Sequence, residues 1–359
     1  MNRILHTESS LGLGGQEIRI MTEMRWLLAH GWETLVACQP DGRLLVEARA
    51  AGLPLVTVKM RSPLDLPAIA ALRRLMKERQ VALVHTHSSI DSWLATLAAK
   101  TLSLPVVRSR HVSIPIPRRR ALVYRLADRI ITSGEAVAQM VRAAGVKADR
   151  IVSISAGVDT NRFHPEVSGA AVRKELGLTG PVVGLVAMIR GSKGHRFFLE
   201  AAREVLQALP EARFLIVGDG IGYEDVKHRV RQMGLEQAVI MTGFRTDIPE
   251  VMAALDVLVL PSVKSEGTSQ TIFQGLAVGT PVVATTTGGI PEIIRDGDTG
   301  RLVPPADPHA LAHAILSLLR DRVYARQLAQ AGQALVRERY TIEQMMAQTT
   351  RVYAELLGR

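Results

Sequence analysis

The stretch PVVGLVAMIRGSKGHRFFLEAAREVLQAL, Pro181–Leu209, decides the fold. Its first nine residues are apolar apart from one glycine, as expected of a strand buried on both faces of a parallel sheet. Gly191, Ser192 and Gly194 break the run. From Phe198 the apolar residues Leu199, Ala202, Val205, Leu206 and Leu209 follow the spacing of an amphipathic helix. Strand, glycine turn and helix together make one unit of an α/β sheet.

The same unit recurs in both directions. Upstream, RILHT, TLVAC, LVHTH, PVVRSR, RIITS and IVSIS alternate with helical segments, the first near Gln16 to His30 and stopped by Gly31. Downstream, RFLIVGDG, AVIMTG, VLVLPS and PVVATT continue the pattern. It restarts after SAGVDTNRFHP, so the chain of 359 residues reads as two doubly wound α/β domains, about 1–165 and 166–342. In open parallel sheets ligands bind beyond the carboxyl ends of the strands. Two such sheets facing each other would line a cleft with the loops Gly12 to Gln16, Arg108 to Ser113, Ile189 to His195, Gly218 to Gly222 and Ser262 to Gln270.

Composition narrows the function. A hydrophobic content of 47% with 22% charged residues is that of a folded globular protein. The single cysteine, Cys38, allows no internal disulfide and suits a reducing compartment. The apolar run at the amino terminus is too short for a signal peptide, and no stretch of eighteen apolar residues follows. A cytoplasmic protein is expected, with the inner membrane face as a possible station. The net charge of +10 lies wholly in the first half, where 23 Lys and Arg stand against 13 Asp and Glu through Arg162. Such a bias suits an anionic partner. Aromatic content of 4% and the lack of a recognised motif speak against nucleic acid.

Several loops carry residues suited to chemistry. Arg190 and Lys193, directly after a strand, match the charge of a diphosphate. In EGTSQTIFQG, Glu266 to Gly275, an acid precedes a helix start near Ser269; the free N–H groups there favour an anion, and Glu266 could accept from ligand hydroxyls. Gln274, two turns further, offers a donor and an acceptor. Gly14 and Gly15 let a backbone approach a ligand closely. His111 follows a strand between Arg108 and Arg110 and Ser113, and could meet a sugar hydroxyl or a phosphate. His85 and His87 share one face of a strand, but no acid or thiolate lies near them in sequence, so zinc is not expected there. Asp296 and Asp298 in DGD read as a turn.

Taken together, these residues resemble the family 4 retaining glycosyltransferases. The resemblance is carried by Arg190 with Lys193-Gly194, VGDG at Val217 to Gly220, GF at Gly243, and the run SEGTSQTIFQGLAVGTPVVATTTGGIPEII with DGDTGRLV after it. Gly14-Gly15, SAGVDTNRFHP and His111 match more loosely. It implies the GT-B fold of two facing Rossmann-like domains, with residues 343–359 packing back on the first. It also implies transfer of a hexose-type sugar from a nucleotide sugar, UDP- or GDP-linked, without metal or cofactor.

By the same resemblance Arg190 and Lys193 hold the diphosphate and stabilise it as it leaves. Glu266 contacts the transferred sugar, and His111 touches sugar or acceptor. Gly14, Gly15, Gly218, Phe244, Gly267, Thr268, Ser269, Gln270 and Gln274 bind the donor. Gln274 stands where the family has a second glutamate for the ribose, so charge-assisted acceptance is lost there. The spacing from Arg190 to Lys193 is shorter than the common form and marks a subgroup. The acceptor side implied is an anionic glycan or glycolipid of a cell-envelope polysaccharide, lipopolysaccharide-like, at the membrane surface, met by Arg108, Arg110, Arg118, Arg119 and Arg120. Two other readings share the fold: a noncatalytic nucleotide-sugar-binding homologue and a sugar-nucleotide 2-epimerase.

Overall fold

The computed structural model describes residues 3–117, 121–264 and 266–358. It divides into two compact units, one ending at Ser155 and taking in the chain again from Glu343, the other Ala156–Ile342.

Seven parallel strands form the sheet of the first unit: β1 (Arg3–Glu8), β2 (Glu33–Cys38), β3 (Leu55–Thr57), β4 (Val81–Thr86), β5 (Val106–Arg110), β6 (Arg129–Thr132) and β7 (Ile151–Ser153), in the order β3-β2-β1-β4-β5-β6-β7. The second sheet has six: β8 (Val182–Val186), β9 (Arg213–Val217), β10 (Val239–Gly243), β11 (Val257–Leu260), β12 (Val282–Thr285) and β13 (Arg301–Val303), in the order β10-β9-β8-β11-β12-β13. Winding reverses between β1 and β4 in the first and between β8 and β11 in the second.

The continuous apolar runs are explained by cover on both faces. On β8, Val183 and Leu185 enter one core and Val182 and Val186 the other, because side chains alternate along a strand. On β9, Phe214 and Ile216 take the first side, Leu215 and Val217 the second. The Phe214 ring meets Phe198 of the helix His195–Ala208 edge to face, 5.7 Å between centroids. Truncating such a buried ring costs about 3–5 kcal/mol.

The units divide ten residues before the boundary expected near 165. Residues 156–165 pack with the second unit: Val158 N–H donates to the Tyr340 carbonyl (2.8 Å), Ile342 N–H donates to the Val158 carbonyl (3.2 Å), and Phe163 is buried in the second core. An extended segment without a hydrophobic period of its own takes the side on which its backbone groups are paired. The helix Ile342–Leu356 then buries Tyr353 in the first unit, with its hydroxyl 2.6 Å from His85 Nδ1.

Candidate active site

In the second sheet the loops leaving β8 and β11, neighbours across the reversal, run side by side. After β8 the chain makes a short turn at Gly191–Lys193 and enters the helix His195–Ala208 through Gly194, at φ +74°. A β-carbon at Gly194 would lie 1.8 Å from the Pro261 carbonyl oxygen, so only glycine lets this loop lie against the exit of β11. Val263 N–H donates to the Ser192 carbonyl at 2.9 Å and fastens the two loops together.

That fastening places Lys193 Nζ 2.5 Å from Glu266 Oε1, and Ser262 Oγ donates to the same oxygen at 2.6 Å. Glu266 is 6% exposed. Its backbone is held in turn by the loop after β12. Gly289 N–H donates to the Glu266 carbonyl, and a β-carbon on Gly288 would sit 2.0 Å from that oxygen. The Thr285 and Thr287 hydroxyls both donate to the Ser262 carbonyl, at 2.5 and 2.7 Å. Removing one partner of a buried ion pair costs about 3–5 kcal/mol.

The helix Gln270–Val278 starts four residues beyond Glu266, with Ser269 at its cap and Gly267 and Thr268 in the link. Its first N–H groups have no carbonyl within the helix and carry its positive end. The Gln270 side-chain amide donates to the Gly157 carbonyl at 3.0 Å and ties the start of the second unit to this helix. Gln274, one turn on, shares the Gln270 face and is half-buried. Arg190 is exposed at the start of the Lys193 loop. Gly218, just past β9, lies against the Ala187 backbone, and Phe244, past β10, is 68% exposed. His195 is buried at the start of its helix, with both ring nitrogens unpartnered among the described residues; burial, then Lys193, lowers its pKa to about 4.

The first unit holds the remaining expected residues. Gly14 caps the helix Gly15–Ala29, and its N–H donates to Glu17 Oε2 at 2.7 Å. Gly15, its first residue, has open space where a side chain would be. His111 follows β5 and stacks on His87, 5.9 Å between ring centroids, with Nε2 unpartnered among the described residues; burial, then Arg19 and Arg110, lowers its pKa to about 3.

Arg108 departs from the expectation of a surface base. It is buried, with its guanidinium carbon 3.9 Å above the Tyr124 ring, because β5 is an interior strand and the helix Ala121–Leu126 covers that position. Arg110 donates to the Tyr124 hydroxyl at 2.8 Å. Arg118, Arg119 and Arg120 lie outside the described residues. The structure brings Lys193, Glu266 and the start of the helix Gln270–Val278 together, with Gln274 on that helix. Sequence reasoning placed Ser262 and His195 at the ends of two expected loops without a role and missed Thr285 and Thr287; the polar residues that follow the apolar runs VLVLP and VVA were the available signal for Ser262 and the two threonines.

Comparison with known proteins adds the family. The profile of the glycosyl transferases group 1 matches residues 180–321, which span Arg190 to Gln274, and that of Glycosyltransferase Family 4 matches 13–162. The 2-deoxystreptamine glucosyltransferase of Streptomyces kanamyceticus is 30% identical over 263 residues, covering 71% of this chain and 67% of that protein. The chain belongs to glycosyltransferase family 4. This glycosyltransferase is also 26% identical, over 344 residues and 89% of each chain, to the UDP-Gal:alpha-D-GlcNAc-diphosphoundecaprenol alpha-1,3-galactosyltransferase of Escherichia coli. Its two parallel-sheet domains have the GT-B fold. The crystal structure of Anabaena Alr3699/HepE in complex with UDP and glucose superposes with a TM-score of 0.88 at 22% identity, over 99% of this chain and all of that one. No helix among the described residues is long and apolar enough to cross a membrane.

Proposed function

We propose that this glycosyltransferase moves a hexose-type sugar from a UDP- or GDP-sugar to an anionic, lipid-linked or glycan acceptor of the cell envelope, with retention of configuration and without a metal in the reaction. The observation that carries the reading is the Lys193–Glu266–Ser262 cluster at the strand reversal, beside the start of the helix Gln270–Val278. The diphosphate sits against Lys193, Arg190 and the N–H groups at the helix start, where cations and a helix dipole oppose the charge that grows as it leaves. Glu266, held in one orientation by Ser262, accepts hydrogen bonds from the sugar. Gln274 takes the ribose and Phe244 offers its exposed ring to the base.

In the transfer the bond from the anomeric carbon to the phosphate oxygen breaks while the acceptor oxygen bonds the same face of that carbon. The acceptor proton passes to the departing phosphate oxygen, so no protein base is required. His111, beyond β5, is assigned to the sugar or acceptor. The basic first half, with Arg110 at the carboxyl end of β5, suits an acceptor carrying phosphate, as the lipid diphosphate in the name of the Escherichia coli relative does. The protein then works at the cytoplasmic face of the membrane.

The test is a thermal-shift screen of UDP-, GDP- and ADP-sugars with magnesium omitted, followed by donor hydrolysis with each hit. Stabilisation and slow hydrolysis, both lost in Glu266→Ala and Lys193→Ala, are expected. Binding without turnover, with membrane extract present as acceptor, replaces this reading with that of a nucleotide-sugar-binding homologue; absence of binding removes the nucleotide-sugar donor altogether.

A further inference from the structure

Four side chains of the first unit converge on a point that glycosyl transfer does not use. The parallel register sets His6 on β1 beside His85 on β4, and His87, two residues on, returns to the same face. Glu23 reaches them from the helix Gly15–Ala29. His6 Nδ1 and His87 Nε2 lie 3.0 Å apart, and Glu23 Oε2 lies 3.7 Å from His85 Nδ1 and 4.0 Å from His6 Nδ1. One donor atom from each of the four falls within 4.8 Å of the others, and none of the residues is more than 3% exposed.

A tetrahedral zinc site with bonds of about 2.0–2.1 Å has ligand atoms about 3.3 Å apart, so closing this cluster onto an ion needs side-chain shifts of about an ångström or less. The donor set is suited to it. Glu23 Oε2 is fully buried without a hydrogen-bond partner among the described residues, while Oε1 accepts from Arg19 Nε at 2.7 Å. His85 Nε2 is 2.8 Å from Ser109 Oγ, the outer contact that commonly orients a ligating imidazole and leaves the other nitrogen to the metal. The Tyr353 hydroxyl, 2.6 Å from His85 Nδ1, stands at the rim of the same point. A carboxylate oxygen and two imidazoles without full hydrogen bonding among the described residues are costly to bury. A cation at their centre gives Glu23 Oε2 the partner that it lacks. The Arg19 charge opposes it in part and sets the affinity below that of a site without a neighbouring cation.

We propose that the first unit holds one zinc ion, ligated by His6 Nδ1, His85 Nδ1, His87 Nε2 and Glu23 Oε2. Four protein ligands leave no open position, so the ion is structural. It fastens β1, β4 and the first helix. Glu23 is the ligand that nearness in sequence could not supply to His85 and His87.

The experiment uses the full chain without a polyhistidine tag, expressed with added zinc, dialysed, and assayed for metal by mass spectrometry. One zinc per chain is expected. Glu23→Gln and His87→Ala should each weaken retention at least about tenfold, as lost metal contacts do. His30→Ala, at the exposed far end of the first helix, should retain the ion. Should the variants fail to fold by circular dichroism, cobalt added to the metal-stripped wild type decides: visible absorption of tetrahedral intensity upholds the site. A wild-type chain that retains no zinc, cobalt bound only with octahedral intensity, or folded variants that bind as well as wild type would overturn it.

Discussion

Each sheet of this glycosyltransferase reverses its winding once, and the two reversals are built differently. Between β8 and β11 the loops end in a cation and a carboxylate that face each other, next to the N–H groups of a helix start. Between β1 and β4, His6, His85 and His87 come together with Glu23 and Tyr353 from two helices of the same unit. The crevice of a doubly wound sheet is a geometric consequence of its topology. Whether it serves a ligand depends on whether the neighbouring helices fill it. In the second unit the glycines at 194 and 288 let loops draw together around Glu266; in the first, His6 and His85 meet within the strands themselves.

Lys193→Ala tests this contrast most severely. Turnover should fall by about 10²–10³-fold, the scale of one lost electrostatic contact to a developing charge, while the first unit stays folded. The three tryptophans, Trp26, Trp32 and Trp93, all lie in the first unit, so their fluorescence reports that unit alone. Unchanged turnover of a nucleotide sugar would break the assignment of the second reversal as the donor site.

Acid should act on the second unit through His195. Its folded pKa of about 4 lies below the value of 6.5 that an exposed imidazole has, so the unfolded chain takes up the proton first. The stability involved is complete above pH about 6.5 and is lost as pH falls toward 4, about 3 kcal/mol in all. His195→Leu should flatten that part of the profile, read as the difference from wild type in urea denaturation followed by far-ultraviolet circular dichroism. An unchanged acid limb would mean that the imidazole is not held neutral.

In the metal-free chain Tyr353→Phe should cost about 1–3 kcal/mol, because His85 Nδ1 loses its partner, and the loss should appear in tryptophan-detected urea melts. Donor affinity should stay as in wild type. A shift in donor affinity would show that the histidine cluster is coupled to the second reversal. The smallest effect is expected of Gln274→Glu, which adds a charge-assisted acceptor and should tighten the donor about tenfold or less, by titration calorimetry. Weaker binding would place the ribose elsewhere.

Most of the strands and the two-sheet plan were legible because a strand buried on both faces leaves an uninterrupted apolar run. Gly191, Lys193 and Glu266 were legible for a related reason: glycine and charge directly after such a run have few structural explanations. Arg108 was misread because alternation along β5 does not tell which face the helix Ala121–Leu126 covers. The Val158 segment was assigned to the wrong side, since its pairing with residues 340–342 joins positions far apart in the chain.

The sequence by itself determined the fold class, the loops that meet at the second reversal and the family, because these rest on local periodicity and on motifs of consecutive residues. Only the tertiary structure decided that Lys193 and Glu266 form a buried pair, that Arg108 lies under Tyr124, and that His6, Glu23, His85 and His87 share one point. Each of these joins side chains from different elements, and their distances follow from the order of strands in a sheet and from how far the helices above it are pushed apart, which no local stretch of sequence specifies.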